Sequence, residues 1–404
     1  MLRRKNLLLL VAGCVAIIVV YDWKNSSLAK IMEPVETVEL QFRQFGSAGM
    51  VREETAAHDL ILKRRLKHVV NACGRNKTFP KINSRRPVFF RSKSTNTSCC
   101  KVPKSGSSFW GAIVMAIEST NTSKNVFHIN RNAIHGHKEI HIQTVPKSDT
   151  KVLVTRDPYT RLYSAFIDKY YLLGRLGRTL MKDINASSYQ KGGNICGYNV
   201  SFNQFLDFVA KTALSGKELD EHLVPVSDLC DVCAVKYDIV IRQETLNSDT
   251  LYLLSKANLT IETKMVINAA VSPKGIKDTI HSLITAHLAD YATYRKDCPS
   301  RMLHMEKVWT SLQIQGYVNK DVAYPKHKFE NFTKHQADNI TSIILQGIES
   351  HPMTKREKTQ QRAMFVRRAY EEVDDDTISK IQKMFMIDFT LLNYDLSPPH
   401  KRKA

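Results

Sequence analysis

Two short stretches carry residue types able to handle a phosphate ester. The first, Pro103-Lys104-Ser105-Gly106-Ser107-Ser108-Phe109, is a glycine-containing turn ahead of an apolar helical pattern. Such a turn exposes backbone N–H groups, and the helix N-terminus behind it favours negative charge. Hydroxyls can donate to phosphate oxygens, and Lys104 supplies positive charge against a leaving phosphate. The turn lacks the G-x-x-x-x-G-K-[ST] spacing of a nucleoside-triphosphate loop, and a helix-capping turn would account for it equally well. The second stretch runs Arg156-Asp157-Pro158-Tyr159-Thr160-Arg161-Leu162-Tyr163-Ser164. Arg156 ends an apolar strand, Lys151 to Thr155, where open α/β sheets place ligands. Ser164 lies a little over two helical turns on, so a guanidinium fork and a hydroxyl can meet on one phosphate monoester. Asp157 reads as the helix cap, and Arg161 reads equally as a surface ion-pairing residue.

The elements that position these stretches alternate. A strand over Cys99 to Val102 precedes a helix over Ser108 to Ser119, and Val126 to Ile129 reads as another strand. The Lys151–Thr155 strand precedes a helix from Tyr159 to Tyr171, with Pro158 tolerated in its first turn. Further on come an amphipathic helix from Ser201 to Leu214, a strand over Tyr237 to Ile241 and a helix over Asn247 to Ala257. Repeated strand–turn–helix units predict an α/β domain with a central, mainly parallel sheet flanked by helices. From Ile280 to Gln360 the pattern weakens and reads as surface elaboration. A last helix starts near Asp376, with Ile378, Ile381 and Phe385 on one stripe.

The 404 residues carry a formal charge of +20, which favours anionic partners and is silent on fold. Residues 1–6 read as a cytosolic tail and 7–23 as a signal anchor, with a basic flank at Arg3, Arg4 and Lys5. Cleavage after the small pair Ser27 and Ala29 is the alternative. Residues 24–86 read as a luminal stem, 87–397 as the catalytic domain and 398–404 as a basic tail. Nine N-x-Ser/Thr acceptors, among them Asn76, Asn121, Asn199 and Asn339, agree with a luminal fate. Seven cysteines follow the apolar run, so at least one thiol has no partner within the chain. Cys230-x-x-Cys233 reads as structural disulfide use in the absence of a second pair at zinc spacing.

Both phosphate motifs resemble those of the Golgi carbohydrate sulfotransferases that include the HNK-1, chondroitin and dermatan enzymes. Cys100 to Trp110 matches C-x-V-P-K-x-G-x-[ST]-x-W, and Arg156 to Phe166 matches R-[DE]-P-x-x-R-L-x-S-A-[FY]. Leu229 to Asp238, Glu244-Thr245-Leu246 and Asp388 to Tyr394 are similar too. The resemblance implies a P-loop-like sulfotransferase fold using 3′-phosphoadenylyl sulfate as cosubstrate without a metal. Residues 103–109 would hold the 5′-phosphosulfate and residues 156–164 the 3′-phosphate. Ser107 stands where these enzymes usually have cysteine, and Leu223 where they usually have tryptophan. For the base that takes the acceptor proton, His137 of His135-Gly136-His137 and His222 are the candidates; Glu118, Glu139 and Asp168 are further carboxylates. The implied reaction is sulfuryl transfer to the 4-hydroxyl of N-acetylgalactosamine in chondroitin or dermatan. A glucuronyl 3-O-transferase of HNK-1 type and an inactive glycan-binding protein are the alternatives. The implied setting is the Golgi membrane, single-pass type II with a luminal catalytic domain. An anionic glycosaminoglycan or glycoprotein glycan is the expected partner, nucleic acid is not, and a homodimer is compatible with the sequence.

Overall fold

A computed structural model describes residues 48–75, 86–118, 134, 139–172, 174–184, 200–257, 259–260, 263–264, 276–296, 300–330 and 336–402. The chain divides into two compact units, residues 1–61 and 62–404. Of the first unit only the opening of helix α1 (Ala48–Arg75) is described.

Among the described residues five strands make the sheet: β1 (Val88–Ser92), β2 (Thr97–Cys100), β3 (Glu139–His141), β4 (Thr150–Thr155) and β5 (Ile239–Arg242). Their order is β3-β1-β2-β4-β5. β1 pairs antiparallel with both β2 and β3, placing Phe89 opposite Cys100 and Ile140. β4 pairs parallel with both β2 and β5, placing Val152 beside Cys99 and Ile239. The sheet is therefore mixed, which corrects the expected mainly parallel arrangement. β1 and β3 extend the parallel trio on one side, and β3, only three residues long, offers no apolar run from which to foresee it. The expected strand at Val126–Ile129 lies outside the described residues.

Strand alternation divides the core between the two faces. Phe89, Cys100, Leu153 and Val240 face Leu391 and Leu392 of the last helix. Phe90, Cys99, Val152, Val154 and Ile241 face Trp110 and Val114 on helix α2 (Ser107–Glu118). Helix α3 (Pro158–Phe166) follows β4 and continues through a π turn at Ile167–Tyr171, a local widening that recurs at functional sites. α4 spans Arg175–Ile184, α5 Phe202–Leu214 and the short α6 Val226–Leu229, and α7 (Leu246–Lys256) follows β5. α5 carries a capping box in which Ser201 and Gln204 satisfy each other's backbone N–H groups.

Much of the stretch from Ile280 to Gln360, read from sequence as surface elaboration, falls instead among the described helices of a layer with its own core. α8 (Ile276–Tyr294), α9 (Arg301–Ile314), α10 (Lys326–Phe329) and α11 (Ala337–Ser350) bury Ile280, Ile284, Val308, Trp309, Phe329 and Ile340 together. α12 (Lys355–Glu371) and α13 (Asp375–Leu392) then return to the sheet domain. Tyr370, Ile381, Phe385 and Phe389 pack there against Tyr159, Leu162 and Phe205.

Among the described residues two disulfides, Cys73–Cys233 and Cys100–Cys230, bring the segment after α6 against α1 and the end of β2. The Cys-x-x-Cys pair is thus divided between two distant partners, as structural use requires. Cys99 is a buried free thiol, and burial raises its pKa well above that of an ordinary thiol.

The expected membrane placement is corrected. Among the described residues no helix is long and apolar enough to cross a membrane. The longest, α1, carries Arg52, Glu53, Glu54, Asp59, Lys63, Arg64 and Arg65, and charges so dense are costly in a hydrocarbon layer. The stretch 7–23 lies outside the described residues, so no described element supports the signal anchor, the Golgi-membrane partnership or the type II topology.

Candidate active site

The parallel strands β2, β4 and β5 end on one edge, and both phosphate motifs leave the sheet there. After β2 the chain makes a tight turn in which Lys104 (φ 67°) and Gly106 (φ 89°) are left-handed. Glycine meets this requirement freely; lysine does so at a cost, and strain of that kind gathers at functional sites. Ser105, between them, is fully buried, and its Oγ has no hydrogen-bond partner. Trp110 makes the first return bond of α2, its N–H donating to the Gly106 carbonyl at 3.0 Å. The N–H groups of Ser107, Ser108 and Phe109 therefore have no acceptor within the helix.

After β4 comes Arg156. Its Nη1 donates to the Lys104 carbonyl at 2.6 Å, and its Nε donates to Thr160 Oγ1 at 3.2 Å. Desolvation at this half-buried position lowers its pKa, opposed by the charges of Glu244 and Asp157. Asp157 caps α3 as expected, accepting from the Thr160 N–H at 2.9 Å. It also pairs with Arg402 at 2.8 Å. Tyr159, Arg161, Leu162 and Tyr163 are buried, as is Pro158. Within 156–164, the positions with exposed surface are Arg156, just before the helix, and Thr160 and Ser164, one turn apart on its face.

Arg161 is a buried strut, 1% exposed, rather than a surface ion-pairing residue. Its Nε donates to the Pro103 carbonyl at 2.9 Å, Nη1 to Val224 at 2.6 Å and Nη2 to Glu221 at 3.2 Å. Burial lowers its pKa to about 10, partly offset by the charge of Asp388. Asp388 in turn accepts from the Val226 and Ser227 N–H groups at 2.7 and 2.8 Å. One guanidinium thus fixes the lysine turn against the segment that carries His222.

His222 Nδ1 lies 2.5 Å from Asp220 Oδ1, which also accepts the His222 backbone N–H at 3.0 Å. With Nδ1–H directed at a carboxylate, the neutral ring presents Nε2 as the proton acceptor. Lys104 Nζ is held by Asp168 Oδ2 at 2.9 Å, and Lys169 reaches the same oxygen at 3.4 Å. Of the other carboxylates, Glu118 is bound by Ser92 Oγ and the Ser94 N–H, and Glu139 by Lys101. His135, Gly136 and His137 lie outside the described residues. Sequence reading missed the partnerships of Asp220 and Asp168, because neither has a signature apart from the residue it faces.

The donor set suits an anionic ester: a partnerless buried hydroxyl at Ser105, the N-terminal end of a helix, and an arginine with two of its donors committed to Lys104 and Thr160. Among the described residues no group of three or more His, Cys, Asp or Glu could hold a metal ion.

A family model described as the sulfotransferase family matches residues 87–309, and the chain belongs to that family. Among curated proteins it is similar to human carbohydrate sulfotransferase 9, 31% identical over 169 residues that cover 38% of this chain and 37% of that protein. Mouse carbohydrate sulfotransferase 10 is 26% identical over 179 residues, covering 40% and 49%. Human carbohydrate sulfotransferase 8 is 28% identical over 170 residues, covering 39% of each. The chain spans less than half the length of these relatives. No solved structure matches it.

Proposed function

We propose that this protein transfers a sulfuryl group from 3′-phosphoadenylyl sulfate to a glycan hydroxyl, with residues 87–397 as the catalytic domain. Family membership implies this cosubstrate, which supplies the activated sulfate. The observation carrying the reading is the 2.6 Å bond from Arg156 Nη1 to the Lys104 carbonyl. It joins two motifs 52 residues apart into one cationic wall.

In this reading Ser105, Ser107, Ser108 and the first N–H groups of α2 take the 5′ side of the donor. Arg156, Thr160 and Ser164 take the 3′-phosphate. Lys104 leaves Asp168 to neutralise charge on the leaving group, a contribution made by placed charge. His222, oriented by Asp220, removes the acceptor proton; His137 is the rival base. The proposed acceptor is the 4-hydroxyl of N-acetylgalactosamine in chondroitin or dermatan, supported by motif similarity, and the +20 charge suits a polyanion.

The test is to incubate the full chain with sulfur-labelled donor and chondroitin, dermatan, heparan and glucuronyl-capped glycans, then map the labelled position. Label on the galactosamine 4-hydroxyl is expected. Donor binding without transfer to any glycan would defeat the reaction and leave a binding protein.

A further inference from the structure

Beyond α13 the chain turns back over the start of α3. Asn393 ends α13 in the left-handed region (φ 55°), which asparagine tolerates better than most residues. The Tyr394 hydroxyl then lies 3.0 Å from Thr155 Oγ1 at the end of β4 and donates to Glu244 Oε2 at 3.2 Å. The other oxygen of Glu244 accepts the Asp157 N–H at 3.0 Å. The Leu396 carbonyl accepts from the Tyr159 hydroxyl at 2.7 Å and from Gln382 Nε2 at 3.0 Å. Arg402 completes this strap. Its Nε donates to the Ser397 carbonyl at 2.7 Å, and its Nη2 donates to the Asp395 carbonyl and to Asp157 Oδ2, both at 2.8 Å. The same guanidinium stands over the Tyr159 ring, 5.4 Å from its centroid.

The pairing bears on the site because Asp157 is the neighbour of Arg156 in the chain. Capping α3 needs one oxygen of Asp157, Oδ1, which accepts the Thr160 N–H. The second oxygen has no part in the cap, and among the described residues Arg402 is the one cation that pairs with it. The Asp157 side chain is 6% exposed, so water screens its charge poorly. An unpaired carboxylate one residue from a phosphate-binding guanidinium would both attract that guanidinium and repel the phosphate.

We propose that Arg402 is a positioning residue for donor binding: by holding Asp157 Oδ2 it keeps the cap carboxylate from neutralising Arg156. The assignment rests on the donor-binding reading above. Calorimetry on the full chain with adenosine 3′,5′-bisphosphate and adenosine 5′-monophosphate tests it. Arg402→Gln removes the charge and should weaken the bisphosphate about three- to tenfold, the scale of a partly exposed charge pair. The monophosphate should stay within about twofold in that variant. Arg402→Lys keeps the charge and should hold the bisphosphate within about twofold of the unsubstituted chain. Adding Asp157→Asn to Arg402→Gln should recover most of the loss, because asparagine still caps the helix and brings no charge.

Equal losses in the Gln and Lys variants would overturn the assignment, as would a double variant no tighter than Arg402→Gln. Either result would leave Arg402 a fastening for the fold alone, and so would equal losses for the two nucleotides. Failure of the unsubstituted chain to bind either nucleotide would remove the donor-binding reading itself, and this assignment with it.

Discussion

The sheet edge and the helical layer of residues 276–350 are stabilised in different ways. At the sheet edge buried charge is tied to main-chain carbonyls and amides from distant segments. Arg161 reaches residues 103, 221 and 224, and Asp388 reaches 226 and 227. The helical layer is held by apolar packing around Trp309, Tyr324 and Phe329. One of its buried imidazoles, His304, lies 3.1 Å from the His287 carbonyl and stacks on Tyr291. The comparison shows where geometry matters to function. Carbonyl wiring fixes loops to within a hydrogen-bond length, whereas packing fixes helices and tolerates exchange of similar side chains.

The sharpest way to break this contrast is Arg161→Ala. It leaves three carbonyls without their donor and Asp388 buried without its counter-charge, so a stability loss of about 3–5 kcal/mol is expected in denaturant unfolding. A loss below about 1 kcal/mol would mean that the wiring is incidental. Lys104→Ala should spare folding and lower kcat about 100- to 1,000-fold, the cost of one aimed charge. Unchanged donor turnover would remove Lys104 from the mechanism. His222→Ala against His137→Ala then sharpens the choice of base: the true base should cost about 100-fold or more in kcat, with the other variant near the unsubstituted rate.

The helical layer should answer to pH instead. Burial lowers the His304 pKa to about 3, with His287 and Arg301 adding to the shift and its bond to the His287 carbonyl opposing it. The unfolded chain therefore binds one more proton between about pH 3 and 6.5. The stability due to neutral burial is complete above about pH 6.5 and declines on acidification by about 1.4 kcal/mol per unit. Urea unfolding at pH 7 and 5, compared with His304→Gln, should show that slope flattened in the variant. The smallest expected effect is that of Asp168→Asn, which frees Lys104 from its resting ion pair; partly exposed pairs are worth about 0–1 kcal/mol. Donor affinity should rise at most a few-fold, and a large loss would mean that Asp168 contacts substrate.

Legibility from sequence followed locality. The lysine turn, the β4 run and the Asp157 cap each lie within about ten consecutive residues and were visible for that reason. Helices α8 and α9 were obscured because His287 and His304 occupy the buried stripe alongside Ile280, Ile284, Met305 and Val308, so a polar residue interrupts the period. β1 and β3 were missed because Glu139-Ile140-His141 is exposed at both ends and takes its strand geometry from Phe89 and its neighbours.

The two disulfides carry a consequence for biogenesis. Cys73 and Cys100 find their partners at residues 233 and 230, 160 and 130 positions later. A ribosome must therefore complete the chain through residue 230 before either bridge can close. Until then the lysine loop lacks its covalent neighbour, and a nascent chain halted short of residue 230 would hold both thiols open to mispairing.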